Sequence, residues 1–296
     1  MVDWTTIQAI STLTTETAAA DLARRKPEFY NRYAGMDDEF GFNLETFALW
    51  EHIFRFCYEE YFKVTFQGMN NIPDEGRVLL VGNHSGLVPL DGAMLTIAAV
   101  NLHRHPRRTR FLATDWFFSL PGLRDWARAT GQVRATLENA KTLIENEEIV
   151  GIYPEGIRGV GKTFRERYRV HDFHPGFVQL AIQTQTPIVP VATIGGDEIF
   201  PNFANIKTFA QMLRMPFFPV TPAMPWLPFP LQFIPLPVKW MMRIHEPIYL
   251  DYPPEKASDR KLVARIAKEI QYMIQKDLNE QLRERKSAFT GWDGEE

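Results

Sequence analysis

Two rhythms of apolar and polar positions alternate along this chain. One is helical: Phe47, Trp50, Ile53, Phe54, Cys57, Tyr58 and Tyr61 recur three or four residues apart across 44–62, with Glu51, His52, Arg55, Glu59 and Glu60 on the other face. The other is a series of short apolar runs that stop at glycine or proline. Residues 62–68 alternate as a strand does, 70–76 is a turn, and Val78, Leu79, Leu80 and Val81 read as a buried strand. The spacing then predicts a helix over 92–100, a short strand over 111–113, and an amphipathic segment over 116–129 that turns at Pro121-Gly122. A helix over 138–146 feeds a strand over 145–150 that runs into a Gly- and Pro-rich turn, and an apolar helix over 178–183 leads to a buried strand over 186–192. Residues 242–250 are a strand broken by Pro247, which predicts an edge position. From Lys256 onward Leu262, Ile266, Ile270, Met273, Ile274 and Leu278 form one helical stripe, capped by Ser258 or Asp259. Helical turns are expected within 1–40, where the pattern sets no boundaries.

Strands alternating with helices predict an α/β fold, a mixed β-sheet flanked by helices. The expected organisation is an N-terminal helical extension over 1–61, a central domain over 62–255, and a C-terminal amphipathic helix over 256–296 packed on that domain. Composition agrees: of 296 residues, 45% are hydrophobic and 23% charged, enough for one large core. A net charge of -3 argues against nucleic-acid binding by bulk charge. The single cysteine, Cys57, excludes an internal disulfide and predicts a reducing compartment, and no His/Cys cluster has zinc spacing. Met1-Val2-Asp3-Trp4 lacks a basic start and a long apolar run, so no signal peptide is expected.

Three stretches leave alternatives open. The 44–62 helix either lies on a membrane surface or packs on the core, and its net acidic polar face argues against an anionic bilayer. The basic run His103-Arg104-His105-Pro106-Arg107-Arg108-Thr109-Arg110 either meets an anionic donor or headgroup or is a solvated loop. Residues 216–238 carry Phe217, Phe218, Met224, Trp226, Leu227, Phe229, Phe233 and Ile234 with no charged residue. Their prolines rule out a spanning helix. The segment is therefore core-packed or a shallow membrane and acyl-chain contact, with Lys239 and Arg243 flanking it.

The candidate chemistry sits where two predicted strands end. Val81 leads into Gly82-Asn83-His84-Ser85-Gly86, with Asp91 at the start of the following helix. An imidazole titrates near neutrality and takes a proton from a hydroxyl, and a carboxylate on its other nitrogen fixes the tautomer. The alternative is that Asp91 only caps the helix. The second strand end reads Gly151-Ile152-Tyr153-Pro154-Glu155-Gly156-Ile157-Arg158-Gly159.

Together the two stretches resemble the glycerolipid acyltransferase family, whose first motif is Asn-His…Asp and whose third is Phe/Tyr-Pro-Glu-Gly-x-Arg. The resemblance covers about 62–250. It implies a glycerol-phosphate acyltransferase-like fold and an enzyme of phospholipid or glycerolipid synthesis. The implied reaction is transfer of a fatty acyl group from acyl-CoA or acyl-carrier protein to a lysophospholipid, glycerol phosphate or related lipid alcohol. His84 would be the base and Asp91 its orienter, with backbone amides of 83–86 or those after Glu155 stabilising the oxyanion. Glu155, Gly156, Arg158 and Arg134 would bind the acceptor, Arg158 through its phosphate. No cofactor and no metal is implied. Two departures matter. Leu137 stands at the arginine position of the second motif, leaving Arg134 one turn earlier to replace it, and the His84-to-Asp91 loop is longer than usual, as in neutral-lipid relatives. The alternatives are therefore a mono- or diacylglycerol-type acyltransferase and, from another class, a catalytically silent lipid-binding membrane protein. The expected location is the cytoplasmic face of a membrane, bound peripherally. Pro187-Ile188-Val189-Pro190 resembles the family's structural fourth motif.

Overall fold

The computed structural model describes residues 14–292 apart from 37, 121, 214 and 229. Seven strands form one sheet: β1 (Thr65–Gln67), β2 (Val78–Gly82), β3 (Thr109–Ala113), β4 (Val133–Arg134), β5 (Ile149–Ile152), β6 (Ile188–Ile194) and, after a small ribbon of β7 (Ala204–Asn205) with β8 (Pro219–Val220), β9 (Met241–Ile244). Their order is β1-β9-β6-β2-β5-β3-β4. The five strands from β6 to β4 are parallel, β9 runs against β6, and β1 follows β9. It is a mixed, mostly parallel sheet flanked by helices.

All five residues of β2 are buried, so it reads as a continuous apolar run rather than an alternation. Val78 and Leu80 face the layer containing helix Leu90–Asn101, through Met94, Leu95 and Ile97. Leu79 and Val81 face the opposite layer, built by helices Gly176–Thr184 and Arg260–Glu284. The last of these is capped by Asp259, which accepts from the Lys261 and Leu262 amides, and buries Val263, Ile266, Ile270, Ile274 and Leu278. Met273, expected on the stripe, is 37% exposed. After this helix β10 (Arg285–Ser287) and β11 (Gly291–Trp292) form a ribbon.

The N-terminal extension holds helices Thr15–Arg25 and Pro27–Tyr33, whose boundaries were not legible. The first has a Thr14/Thr17 capping box, and the second starts at the proline suited to a first helical turn. Helix Leu44–Phe56 packs against the first and continues as a π turn, Cys57–Tyr61. Its Glu51, expected on the polar face, is buried and ion-paired to Arg25 at 2.7 Å. Helix Leu44–Phe56 therefore packs on the body.

Neither expectation for the basic run holds. Arg107, Arg108 and Arg110 are all buried. Arg107 donates to the carbonyls of Pro73, Gly76 and Glu147, Arg108 pairs with Glu148 and Asp38, and Arg110 pairs with Asp38 at 2.9 Å. The N-terminal extension supplies Asp38 together with Tyr33 and Phe42, whose rings lie 4.8 and 5.0 Å from the Arg108 guanidinium. Arg108 and Arg110 anchor the extension to β3, and their pairing, like the carbonyls that accept from Arg107, is what makes burial tolerable. The edge expectation for 242–250 also fails. β9 has neighbours on both sides, and Pro247 lies beyond its last residue.

Residues 216–238 are not core. Trp226 is 71% and Ile234 57% exposed, with Leu227, Leu231, Phe233 and Leu236 also exposed. Arg243, expected to flank this surface, is instead tied to Asp277 and Gln67. Phe229 lies outside the described residues.

Candidate active site

β2 and β5 are adjacent and parallel, with Val81 opposite Ile152. The loops that leave them, 83–89 and 153–156, therefore emerge side by side at the carboxyl edge of the sheet, where ligands of open α/β sheets bind. Asn83 bridges to β6: its amide donates to the Thr193 carbonyl (3.0 Å) and accepts from the Thr193 amide (2.8 Å). Gly86, at φ 96°, turns the loop so closely past Gly196 that a Cβ would lie 2.5 Å from its carbonyl oxygen.

The turn brings His84 onto Asp91, with Nδ1 2.7 Å from Oδ2. Asp91 has no exposed surface, and the same oxygen accepts the Ser85 amide at 2.9 Å. A carboxylate only accepts, so Nδ1 donates to Asp91, and in the neutral imidazole Nε2 keeps its lone pair. Asp91 is not the helix cap. That position belongs to Pro89, and the carboxylate turns back from the first turn, where the helix dipole favours its charge. The imidazole stacks on Tyr153 (centroids 4.4 Å, planes 9° apart), and Tyr153 stacks in turn on Phe111 at 5.5 Å. Burial pushes the Tyr153 hydroxyl well above its usual range, so it stays neutral. Gly159 leaves room for His84: a Cβ there would lie 2.6 Å from that of His84.

The other expected site residues separate. Gly156 stands at φ 58°, ψ −143°, a conformation open to glycine, and it lines the cavity beside His84. Glu155 does not face an acceptor. Its side chain has no exposed surface, and its oxygens accept the amides of His84 (2.9 Å) and His171 (2.8 Å) and pair with Lys162 at 3.0 Å. Arg158 is exposed and has no ion pair or hydrogen bond among the described residues, so it does not pair with Glu155. Arg134 is 57% exposed on β4, paired with Asp115, and does not line the cavity. The amides of His84, Ser85 and Gly86 are all occupied, by Glu155, Asp91 and Asp197. Of the amides after Glu155, that of Gly156 donates to the Tyr153 carbonyl at 3.0 Å, which leaves those of Ile157 and Arg158 at the start of helix Ile157–Val160.

His84 opens onto a cavity of about 500 Å³. Its walls are aromatic and aliphatic: Phe47, Trp50 and Phe54 from helix Leu44–Phe56, Trp126, and Phe217 and Phe233 from the apolar segment. No lysine or arginine lines it among the described residues; Glu51, His84 and Tyr153 are its ionisable groups. The volume is that of a small-molecule site. The helical aromatic stripe was visible in the sequence, but nothing in its spacing pointed to a cavity. Lys162, part of a basic loop, gave no sign of burial. Among the described residues no group of His, Cys, Asp and Glu could hold a metal ion.

Residues 63–194 match the model of the Acyltransferase family. A Mycobacterium tuberculosis protein of uncharacterized function is 37% identical over 257 residues, 86% of this chain and 72% of that one. The chain belongs to the glycerolipid acyltransferase family. The fold of this acyltransferase is also that of the 1-acyl-sn-glycerophosphate (LPA) acyltransferase PlsC of Thermotoga maritima, with a TM-score of 0.52 and 17% identity over 92% of this chain and 96% of that one. A more distant relative is the DGAT1/2-independent enzyme synthesizing storage lipids of Gallus gallus, 28% identical over 209 residues, 71% of this chain and 58% of that one.

Proposed function

We propose that this acyltransferase moves a fatty acyl group from a thioester, acyl-CoA or acyl-carrier protein, to an uncharged lipid alcohol. The observation that carries the reading is a single one: a His84–Asp91 pair whose free Nε2 opens into an apolar cavity. Nε2 takes the proton of the acceptor hydroxyl, and the oxygen attacks the thioester carbonyl. The tetrahedral oxyanion is met by amides at the start of helix Ile157–Val160. Collapse breaks the carbon–sulfur bond, and the imidazolium returns its proton to the leaving thiolate. Asp91 stabilises the imidazolium that forms through Nδ1–H, and the Tyr153 ring stacked on it holds the imidazole plane.

An uncharged acceptor, a monoacylglycerol or diacylglycerol, is favoured by a lining that holds no lysine or arginine among the described residues and by Leu137 at the second-motif position. The relative named for storage lipids supports the same class. The name of the Thermotoga enzyme supports a phosphorylated acceptor, and here that reading rests on the free guanidinium of Arg158. Labelled acyl-CoA offered with a panel of acceptors tests the choice. Monoacylglycerol should be acylated faster than lysophosphatidate. The reverse order, together with a dependence on Arg158, would establish the phosphorylated acceptor, and binding of both lipids without transfer would establish a silent lipid-binding protein.

The exposed apolar surface around Trp226 supports peripheral docking on the membrane that holds the acceptor, at its cytoplasmic face. Among the described residues no helix is long and apolar enough to cross a membrane.

A further inference from the structure

Behind His84, away from the cavity, lies a buried ion pair that the reaction above does not use. The Lys162 side chain is 3% exposed, and its Nζ lies 3.0 Å from Oε2 of Glu155. The same Nζ donates to the carbonyl oxygen of His84 at 3.0 Å, while Oε1 of Glu155 accepts the amide of His84 at 2.9 Å. One ion pair thus holds the peptide groups on both sides of His84. Neither member lines the cavity. The surrounding groups are themselves fixed. Glu155 also accepts the His171 amide, and buried Asp197 accepts the amides of Gly86 (2.9 Å) and Tyr168 (2.8 Å). The backbone of the Lys162 loop is tied down by Asn202, whose amide donates to the Lys162 carbonyl at 3.1 Å, and by Asn205, which donates to that of Gly161 at 2.8 Å.

A buried pair of this kind contributes little net stability compared with an apolar pair of the same volume, because both charges are stripped of water. Its geometry is therefore better explained by what it positions. The ring of His84 is fixed at Nδ1 by Asp91 and on its face by Tyr153, but nothing in those contacts sets where its Cα lies. We infer that Lys162, through its pair with Glu155, is a positioning residue that clamps the His84 backbone and holds Nε2 at the cavity. The inference rests on His84 being the base. A shift of about 1 Å in such a group lowers turnover by about 100-fold.

Lys162→Arg keeps a cation for Glu155, and with it the charge balance of the interior, but its wider, planar guanidinium cannot donate from the ammonium's position. If the pair positions His84, Lys162→Arg lowers kcat at least tenfold with the KM of donor and acceptor unchanged. Lys162→Met lowers it further, by about 100-fold per folded molecule. A second readout is independent of turnover: the downfield Nδ1–H proton resonance of His84, identified by its absence in His84→Ala, should shift or broaden in both variants. A change in this resonance in a protein that shows no transfer would uphold the clamp and remove the base reading. Wild-type kcat with an unchanged resonance in Lys162→Arg overturns the clamp, as does loss of folded protein in both variants, which would assign the pair to folding alone.

Discussion

His84 has one ring nitrogen held and one open, and that asymmetry sets the expectations at the scale of single residues. His84→Ala removes the base and should lower transfer by about 10³-fold or more with folding intact, a loss at the upper end for general base catalysis. Asp91→Asn should cost less, about 10²-fold, because the base remains while its tautomer and the Ser85 amide contact are disturbed. Steady-state rates on folded protein check both, and wild-type turnover in His84→Ala would end the mechanism. Arg158 discriminates between acceptors. A guanidinium binds phosphate through two parallel hydrogen bonds that lysine cannot copy. With an uncharged acceptor Arg158→Lys should therefore leave the acceptor KM within about twofold, whereas a tenfold rise with lysophosphatidate would mark a phosphate site. The His84–Asp91 pair was readable in the sequence because a motif places both on one turn. The burial of Glu155 was not, because it depends on Lys162 and His171 closing over it from later in the chain.

At the scale of elements, the site depends on close approaches that side chains would block. In helix Ile157–Val160, Gly159→Ala would drive a methyl to 2.6 Å from the His84 Cβ, so kcat should fall at least tenfold, as for a base displaced by a fraction of an ångström. An unchanged kcat would mean that the helix shifts freely. The N-terminal helices offer a test in pH. Burial raises the Asp21 carboxyl, but hydrogen bonds from Arg25 and Arg24 and the charges of Arg25 and Arg55 outweigh it and hold it at about 2. An unfolded aspartate titrates near about 3.9. The lowered value favours the ionised, folded form, so the Asp21 contribution is complete above about pH 4 and is lost as pH falls towards 2. The difference in melting temperature between the wild type and Asp21→Asn should accordingly be constant above that range and close below it. A gap that persists at pH 2 would contradict the assignment. Helix Leu44–Phe56 shows the limit of a spacing argument. Its amphipathic stripe predicted a covered face, but the same aromatic residues serve both packing and the cavity wall.

For the molecule as a whole, the exposed apolar surface around 203–236 sets the expectation. Phe203, Met212, Trp226 and Ile234 are each more than half exposed, and Phe217 and Phe233 of the same region reach the cavity. A surface continuous with the cavity is what the proposed docking on a bilayer requires. Trp226→Glu combined with Ile234→Glu should abolish flotation with liposomes while leaving the melting temperature within a few degrees, since neither side chain is buried. Unchanged flotation would move the docking surface elsewhere.

The sequence alone determined the α/β class, the buried central strands, the strand-end position of the candidate chemistry and the family. Each follows from local causes: periodicity, glycine and proline at turns, and residue types at fixed spacing. Only the tertiary structure decided which charges lie inside. The arginines at 107, 108 and 110 read as a surface run, yet Asp38 and Glu148 reach Arg108, and Asp38 reaches Arg110, from distant segments, while backbone carbonyls hold Arg107. Lys162 read as one more loop cation, yet it pairs with Glu155 and reaches the His84 carbonyl because the loops after β5 and β2 converge at one edge of the sheet and close over it. Burial of a charge depends on a partner brought from elsewhere in the chain, and hydrophobic periodicity, being local, carries no information about that partner.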